Sequence, residues 1–266
     1  MFKQQGKHEV YNHGVLFYRN PTHKHQVIFN LLKEDLDQGR GIFYVAGDES
    51  PEKIYQAMLN FGFDVKTLER EGRLKVENFD RWYIVDGKFD SPNLRTLWKK
   101  TCEEALERGL KGLRICGEMG CFFRYNLVEE LIEYERKIGK HFKIPITAVC
   151  AYNLHTLGLL EAKLFLDLVR SHNQVFSPNF AGLFDFENFY CQILSEKLET
   201  VVGKTCAKEI LSFLSEWRPL LDANLEEGSE DLQTALESLI GSRAKQIEEQ
   251  ALLKIWEKFG LGLSNF

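Results

Sequence analysis

The sequence predicts an α/β domain with a mostly parallel sheet and helices on both faces, followed by a smaller all-helical domain. Short apolar runs typical of buried strands alternate with helical patterns through about residue 178, and this alternation is typical of a parallel sheet. After Pro178 the apolar residues recur at helical spacing, and no strand is predicted there. A chain of 266 residues is also longer than most domains that are built around a single hydrophobic core. We therefore predict an α/β domain over residues 1–180 and a helical domain over residues 181–266.

Buried strands are predicted where a short apolar run is bounded by turn residues. Residues 73–78 alternate apolar and polar side chains, which favours a strand near an edge of the sheet. Asp86 and Gly87 mark a turn. The other predicted strands are 13–18, 41–46, 112–117, 145–152 and 174–176.

Helices are predicted from apolar residues at helical spacing and from start signals. Thr22 is expected to cap the first helix. Ser50 before Pro51, and Ser91 before Pro92, each combine a side-chain acceptor with the fixed φ that suits a first helical turn. Later helices are predicted over 127–138, 157–171, 187–202, 205–217, 229–240 and 243–259, with a polar break at 226–230.

Composition excludes several functional classes. The formal net charge is −5 and there is no run of basic residues. The sequence therefore gives no sign of a positively charged surface for nucleic acid or an anionic membrane. No apolar stretch approaches the roughly 20 residues of a membrane span, and the first residues have no apolar signal core. The six cysteines are widely separated, without a Cys-x-x-Cys pair, which favours reduced thiols over disulfides or a zinc site. We expect a cytoplasmic protein.

Several predicted strands end in polar or sulfur-containing side chains. The carboxyl ends of parallel strands meet at one edge, where open α/β sheets bind their ligands. We expect Glu118 and Met119 to line a partly apolar pocket there, with Glu118 free to contact the ligand and contributing little to stability. His13 is at the start of a strand, where a structural role and a ligand contact both remain open. The candidate ligand-binding residues are His13, Tyr18, Arg19, Asp48, Glu49, Glu118, Met119 and Tyr152.

Catalytic and cofactor signals are weak. Glu118 with Asp48 or Glu49 could form a carboxylate pair for acid–base chemistry. The connection 18–25 contains no glycine and no Gly-Lys-Ser/Thr sequence, so the loop that cradles phosphates is missing. His23 and His25 have no third ligand in the sequence. We therefore expect no enzymatic activity, no productive ATP binding, no metal and no other cofactor.

Eight segments, taken in sequence order, carry a family resemblance: 13–18, 41–45, 48–52, 87–90, 112–119, 134–135, 150–152 and His172. Together they resemble the MEDS family, the methanogen/methylotroph DcmR-type sensory domain. The resemblance covers roughly residues 8–178, and it implies a RecA/KaiC-like core without the phosphate loop. It also implies the sensing of small organic ligands, among them one-carbon or hydrocarbon-derived compounds, in signalling proteins.

We predict a sensory or regulatory protein that binds a small organic ligand at the sheet edge and relays binding to the helical domain. We expect a regulatory protein partner. We expect no membrane binding and no direct binding of nucleic acid. Two alternatives remain: a nucleotide-binding protein or enzyme that uses Asp48, Glu49 and Glu118, and a scaffold whose sheet edge is vestigial.

The helical domain is predicted to mediate homo-oligomerisation. Its last two helices each carry an apolar stripe, and we expect Trp256 or Phe259 to remain for a partner chain. The alternative is that both stripes pack within a monomer. The stripes are Leu232, Leu236, Leu239 and Ile240 on one helix, and Ile247, Ala251, Ile255 and Phe259 on the next.

Overall fold

The computed structural model describes residues 11–158, 160–223 and 232–261. The predicted polar break at 226–230 and the start of the helix predicted over 229–240 lie outside these residues. The strands in the described part are β1 (Tyr11–Tyr18), β2 (Gly41–Ala46), β3 (Leu74–Asn78), β4 (Ile84–Val85), β5 (Lys88–Phe89), β6 (Leu113–Glu118), β7 (His141–Phe142), β8 (Ile146–Asn153), β9 (Gln174–Ser177) and β10 (Phe180–Leu183).

Helices connect most of these strands and make up the described part of the C-terminal region after β10. None of the described helices is long and apolar enough to cross a membrane. They are α1 (Pro21–Asp37), α2 (Pro51–Asn60), α3 (Val65–Arg70), α4 (Ser91–Glu107), α5 (Gly120–Arg124), α6 (Val128–Ile138), α7 (Leu154–Leu157), α8 (Ala162–Arg170), α9 (Phe186–Val202), α10 (Lys204–Ala223), α11 (Leu232–Ile240) and α12 (Arg243–Phe259).

One mostly parallel sheet forms the centre of the molecule, as predicted. Its strand order is β10-β9-β1-β8-β6-β2-β3, and β7 pairs with the start of β1. All neighbours from β9 to β3 are parallel, whereas β10 and β7 are antiparallel to their partners. The predicted edge position of β3 is confirmed. Asp86 and Gly87, with φ of 51° and 74°, turn the separate β4–β5 hairpin.

Helices cover both faces of the sheet. Successive strand residues point to opposite sides, so the apolar strands have side chains to bury on each face. Val15 and Phe17 of β1 belong to a core shared with α4, α6, α8, α9 and α12. Leu16 and Tyr18 belong to a second core shared with α1, α2 and α3. We call these two sides the α4/α6 face and the α1/α2 face.

Two predicted helix caps are wrong by one or two residues. Asn20, not Thr22, accepts the capping hydrogen bond of α1, at 2.9 Å from the His23 N–H, because the helix already begins at Pro21. Asp90, not Ser91, accepts from the N–H of Asn93 at 2.9 Å, because α4 begins one residue earlier than predicted. The predicted cap Ser50 is confirmed.

The region from 154 to 183 differs from its prediction in two places. The helix expected over 157–171 begins only at Ala162, as α8, and Leu157 is instead the last residue of the short helix α7. The prediction of no strand after Pro178 is wrong, because β10 pairs antiparallel with β9 across a turn in which Ser177 Oγ accepts from the Phe180 N–H at 3.1 Å. The predicted boundary at 180/181 therefore falls within a β-hairpin.

The last helix packs inside this chain along its whole length. Ala244 and Ile247 contact a small core between α9, α10 and α11. Farther along, Trp256 is 1% exposed and Phe259 is 0% exposed, and both join the core of the α4/α6 face. The expectation that Trp256 or Phe259 remains for a partner chain is therefore wrong, because the sheet and α8 already bury both rings.

Replacing Phe259 with alanine should lower the free energy of unfolding by about 3–5 kcal/mol. The ring is buried among Phe17, Phe180 and Phe184. Because α12 shares its core with the sheet, the loss should appear in one cooperative urea transition. The control Leu183→Ala truncates a side chain that is 69% exposed, and it should change stability by less than about 0.5 kcal/mol. A sheet transition that is unaffected by Phe259→Ala would contradict the shared core.

Candidate functional site

A fully buried carboxylate lies at the carboxyl end of β6. Glu118 Oε1 accepts from the Tyr44 hydroxyl at 2.7 Å and is ion-paired with the ammonium of Lys24. Glu118 Oε2 accepts from the backbone N–H groups of residues 47, 48 and 49 at 2.9, 2.6 and 3.0 Å. Both oxygens are therefore satisfied inside the protein, and Glu118 is 0% exposed.

Two glycines allow the loop after β2 to approach β6 this closely. A Cβ on Gly47 would lie 2.2 Å from the backbone oxygen of Glu118. A Cβ on Gly120 would lie 1.7 Å from Oδ1 of Asp48. At Gly47 the close atom belongs to the backbone, so the position requires a residue without a side chain, whereas a side chain at Gly120 would force the Asp48 carboxylate to move.

The remaining charged groups at this edge pair with one another. Lys24 Nζ lies 2.5 Å from Glu49 Oε2, which is also 2.9 Å from His25 Nε2. The Tyr18 hydroxyl donates to Asp48, and Arg124 lies 3.6 Å from the same carboxylate. The structure thus brings together four of the predicted site residues, Tyr18, Asp48, Glu49 and Glu118.

Burial and charge oppose each other in setting the pKa values of these carboxyls. Burial alone raises the pKa of Glu118, but the charge and hydrogen bond of Lys24, with the N–H groups of Asp48 and Glu49, lower it below its usual value. Burial, followed by the charge of Glu118, raises the pKa of Asp48. Glu118 is therefore a structural carboxylate held ionised by its partners, and the expectation that it contributes little to stability does not fit its burial.

Arg19 lies apart from this network, with its guanidinium at the end of α12. It donates to the carbonyl oxygens of Gly260 and Leu261 at 3.1 and 3.2 Å. A cation near the last carbonyls of a helix is favourable, because those carbonyls lack partners within the helix. Its position indicates a role in attaching α12 to the end of β1.

A cavity lies on the α4/α6 face of the sheet. The centre of a water-sized molecule can move within a volume of about 30 Å³ in this cavity. A cavity of this size has room for a ligand of only a few non-hydrogen atoms. Met119 and His13 contribute to its wall, whereas Glu118 does not. The aromatic part of the wall consists of Tyr83, Trp98, Phe122, Tyr134 and Phe142.

A buried polar cluster adjoins this cavity. His13, Glu135, Cys150 and His172 place one nitrogen, oxygen or sulfur atom each within 4.8 Å of the others. His13 Nε2 lies 3.2 Å from Glu135 Oε2 and 3.3 Å from Cys150 Sγ. Tyr152, another predicted site residue, donates its hydroxyl hydrogen to Glu135 Oε1 at 2.9 Å. Such side chains can hydrogen-bond a ligand or coordinate a metal.

Ionisation in the cluster follows from burial and from the neighbouring groups. Burial alone raises the pKa of Glu135, but the close contact with His13, followed by the charge of His172, lowers it to about 2. Burial, and then His13, lower the pKa of His172 to about 3, so its ring is neutral at pH 7. Burial and the charge of Glu135 raise the pKa of the Cys150 thiol well above its usual value.

Sequence reasoning assigned no site role to Lys24, Glu135, Cys150 or His172. Glu135 carried a detectable signal, since it is a charged residue beside Leu131 and Ile132 on the buried side of α6. His172 was noticed only as part of the family resemblance, and spacing along the chain gave no signal for it, because it follows α8 and reaches the cluster only through the pairing of β9 with β1. The eight predicted residues thus divide between the Glu118 network, the cavity with its cluster, and the end of α12.

Comparison with known proteins identifies the family. The sequence profile of MEDS, the methanogen/methylotroph, DcmR sensory domain, matches residues 12–173. The chain belongs to the MEDS family. The matched segment contains the Glu118 network and all four residues of the buried cluster, so both lie within the sensory domain. No curated protein matches the chain.

Solved structures similar to this chain include two from the archaeon Pyrococcus horikoshii. One is a KaiC-like protein, with 14% sequence identity and a TM-score of 0.44, and the match covers 62% of this chain and 69% of that protein. The other is an uncharacterised protein in complex with an unknown peptide. It has 16% identity and a TM-score of 0.43, and the match covers 65% of this chain and 79% of that protein.

The substitution Glu118→Gln should destabilise the protein by about 3–5 kcal/mol, because it removes the fully buried one of the two counter-charges of Lys24 and the anionic acceptor of three backbone N–H groups. Urea unfolding at pH 7 measures the loss. Glu133→Gln is a matched control, because Glu133 pairs with Lys137 on the exposed side of α6. The control should leave the unfolding midpoint nearly unchanged. Equal midpoints for the two variants would show that the Glu118 network is not structural.

The same carboxylate predicts a pH dependence. The pKa of Glu118 is lower in the folded protein than its ordinary value of 4.5, so the unfolded state binds the proton more readily. Its contribution is therefore fully present above about pH 5 and is lost as the pH falls through the folded pKa. Unfolding midpoints measured from pH 7 to pH 3 should fall less steeply for Glu118→Gln than for the unmodified protein. Parallel curves would contradict this assignment.

Proposed function

We propose that this protein is a sensor that binds a small, largely apolar organic molecule in the cavity on the α4/α6 face. The observation that carries the proposal is a small cavity with aromatic walls and a buried polar cluster at its side, inside a sensory domain. Binding sites are mostly apolar cavities with a few polar groups that orient the ligand. The cavity volume favours compounds of one to a few carbon atoms carrying one polar atom.

The polar cluster is the part of this site that gives it chemical selectivity. His13, Glu135 and Cys150 line the cavity, and the other wall residues are mostly apolar. A hydroxyl or thiol group on the ligand would find both hydrogen-bond donors and acceptors there. A hydrocarbon of the same size would leave these buried groups without a ligand partner, so a compound with one polar atom is the better fit.

The relay that we propose runs through α8 to α12. His172 follows α8, and its Nδ1 is hydrogen-bonded to the carbonyl oxygen of Leu168 in the last turn of that helix. Phe165 of α8 packs against Trp256 of α12, with ring centroids 5.4 Å apart. A ligand shifts this arrangement only if it binds two positions of α8 with different affinities.

The alternative of a nucleotide-binding protein or enzyme at the Glu118 edge has weaker support. The ammonium of Lys24, in the segment where a phosphate-binding lysine would be sought, is 0% exposed and paired with two carboxylates. A phosphate group at this edge would have to separate a buried ion pair, which costs several kcal/mol. The ligand is therefore proposed for the cavity.

Ligand binding is tested with a panel of one- to four-carbon alcohols, thiols and amines, and with magnesium ATP as a negative control. Binding is measured by titration calorimetry and by the shift in melting temperature. Ala148 lines the cavity, whereas Ala151 of the same strand faces the opposite core. Ala148→Val should weaken binding of the best compound at least ~10-fold by filling the cavity, since one or two methylene groups are worth about 1–3 kcal/mol in such a site.

The control Ala151→Val should retain affinity within about 3-fold, although it overpacks the other face and lowers stability. Equal affinity losses in the two variants would contradict the assignment of the ligand to the cavity. The relay has a separate measurement, hydrogen exchange of α12 with and without the ligand. Unchanged exchange in α12 during saturating binding would contradict the relay and leave the cavity assignment intact.

A further inference from the structure

Hydrogen bonds behind the two buried imidazoles point their Nε2 atoms into the polar cluster. Nδ1 of His13 bonds to the carbonyl oxygen of Gly139 at 2.9 Å, and Nδ1 of His172 bonds to that of Leu168 at 2.7 Å. A carbonyl oxygen only accepts, so Nδ1 carries the hydrogen in both rings. In a neutral ring Nε2 then carries the lone pair. Metal-binding histidines are oriented in this way by their second nitrogen.

The carboxylate of Glu135 is oriented in the same manner. Its Oε1 accepts the hydrogen bond from Tyr152, which turns Oε2 toward the imidazoles. Oε2 lies 3.2 Å from His13 Nε2 and 3.8 Å from His172 Nε2. Although these separations are short, neither Glu135 Oε2 nor His172 Nε2 has a properly directed hydrogen bond, and both atoms are buried. Buried acceptors that lack a directed hydrogen bond are costly unless a proton or a metal cation joins them.

We propose that His13, Glu135, Cys150 and His172 bind one divalent transition-metal ion, with Zn²⁺ as the first candidate. Imidazole nitrogen, thiolate sulfur and carboxylate oxygen are the ligands that zinc binds in proteins. Zinc–ligand bonds of about 2.0–2.3 Å place the atoms of a tetrahedral set about 3.3–3.8 Å apart. Three of the six separations in the cluster, 3.2, 3.3 and 3.8 Å, are close to this spacing, and all six are within 4.8 Å.

Charge balance also fits a divalent ion. With the thiol of Cys150 deprotonated on metal binding, the set contains two negative charges, one thiolate and one carboxylate, and two neutral imidazoles. A 2+ ion therefore makes the buried set neutral, which removes the cost of an unpaired buried charge. This inference departs from the expectation, drawn from the sequence, that the chain has no metal site.

The metal ion would also take part in binding the proposed organic ligand, and this part of the inference rests on the proposed function. His13, Glu135 and Cys150 form part of the cavity wall, so an ion held by them lies beside the proposed ligand. A ligand thiol or hydroxyl could then coordinate the ion in place of the Glu135 carboxylate. Metal binding itself requires no organic ligand, so it can be measured independently of the sensing proposal.

The experiment uses the full chain and two metals. Protein is purified from zinc-supplemented medium, and a second sample is unfolded with a chelator and refolded with Zn²⁺ or Co²⁺, which removes any barrier to entry. Metal content is measured by mass spectrometry after gel filtration, and the Co²⁺ sample is examined for a sulfur-to-cobalt charge-transfer band in the near ultraviolet. We expect about one equivalent of Zn²⁺ per chain and a charge-transfer band.

Matched variants identify the ligands. Cys150→Ser should abolish the charge-transfer band, whereas Cys116→Ser should retain it, because Cys116 is equally buried but belongs to the opposite core. His172→Gln should weaken Zn²⁺ binding at least ~10-fold, and Tyr152→Phe about 10-fold through loss of its hydrogen bond to Glu135. If Cys150→Ser does not fold, titration of the unmodified protein with Co²⁺ still decides the question.

Less than about 0.1 equivalent of metal in both the purified and the refolded protein would overturn the proposal, since a structural or ligand-anchoring site retains its ion. Such a result would show that a proton, not a metal, lies between His13 and Glu135. Retention of the charge-transfer band in Cys150→Ser would also overturn it. A bound metal without any affinity for the organic panel would support the metal site while contradicting the sensing proposal, so the two failures are distinguishable.

Discussion

The buried carboxylate of Glu118 joins three parts of the fold at one point. Glu118 ends β6, Lys24 is in α1, and the three N–H groups that bind Oε2 belong to the loop after β2. Removing a single carboxylate or ammonium ion from water costs several kcal/mol, so each charge at this depth depends on its partners, which for Lys24 are Glu118 and Glu49. The carboxyl edge of the sheet therefore depends on all members of the network being in place.

This network also determines what the sheet edge can bind. Consecutive backbone N–H groups directed at one point form a concavity that attracts anions. Here the anion is part of the chain itself, since Glu118 Oε2 lies 2.6–3.0 Å from the three N–H groups. A phosphate would compete with an internal carboxylate whose effective concentration is high. The polar cluster on the α4/α6 face differs, because Glu135 and His172 retain buried atoms without hydrogen bonds.

The regular part of the fold could be predicted from the sequence because burial imposes a pattern on it. A strand covered on both faces requires consecutive apolar residues, and the predicted strand 41–46 coincides with β2. Strands β4, β5, β7 and β10 have two to four residues, too few to show a period. The late start of α8, at Ala162, was missed because the apolar residues keep helical spacing from residue 157 onward.

The candidate site was predictable only where the topology alone brings residues together. Tyr18, Asp48, Glu49 and Glu118 meet because they follow or end neighbouring parallel strands. Their mutual pairing was not predictable, since a lysine near a helix start is usually solvated, whereas Lys24 is 0% exposed. The buried cluster combines residues from two strands, one helix and one loop, and no spacing in the sequence encodes that distance.

The position of α12 connects both regions to the C-terminal helices, but with unequal strength. Arg19 reaches α12 through two hydrogen bonds at the surface, where water can replace them and each contributes only about 0.5–1.5 kcal/mol. Phe165 and Trp256 join α8 to α12 in the core, where truncation of such a side chain costs about 3–5 kcal/mol. A coupling between distant sites needs only about 1–3 kcal/mol. The aromatic contact is therefore the stronger of the two connections to α12, and it is the one on which the proposed relay depends.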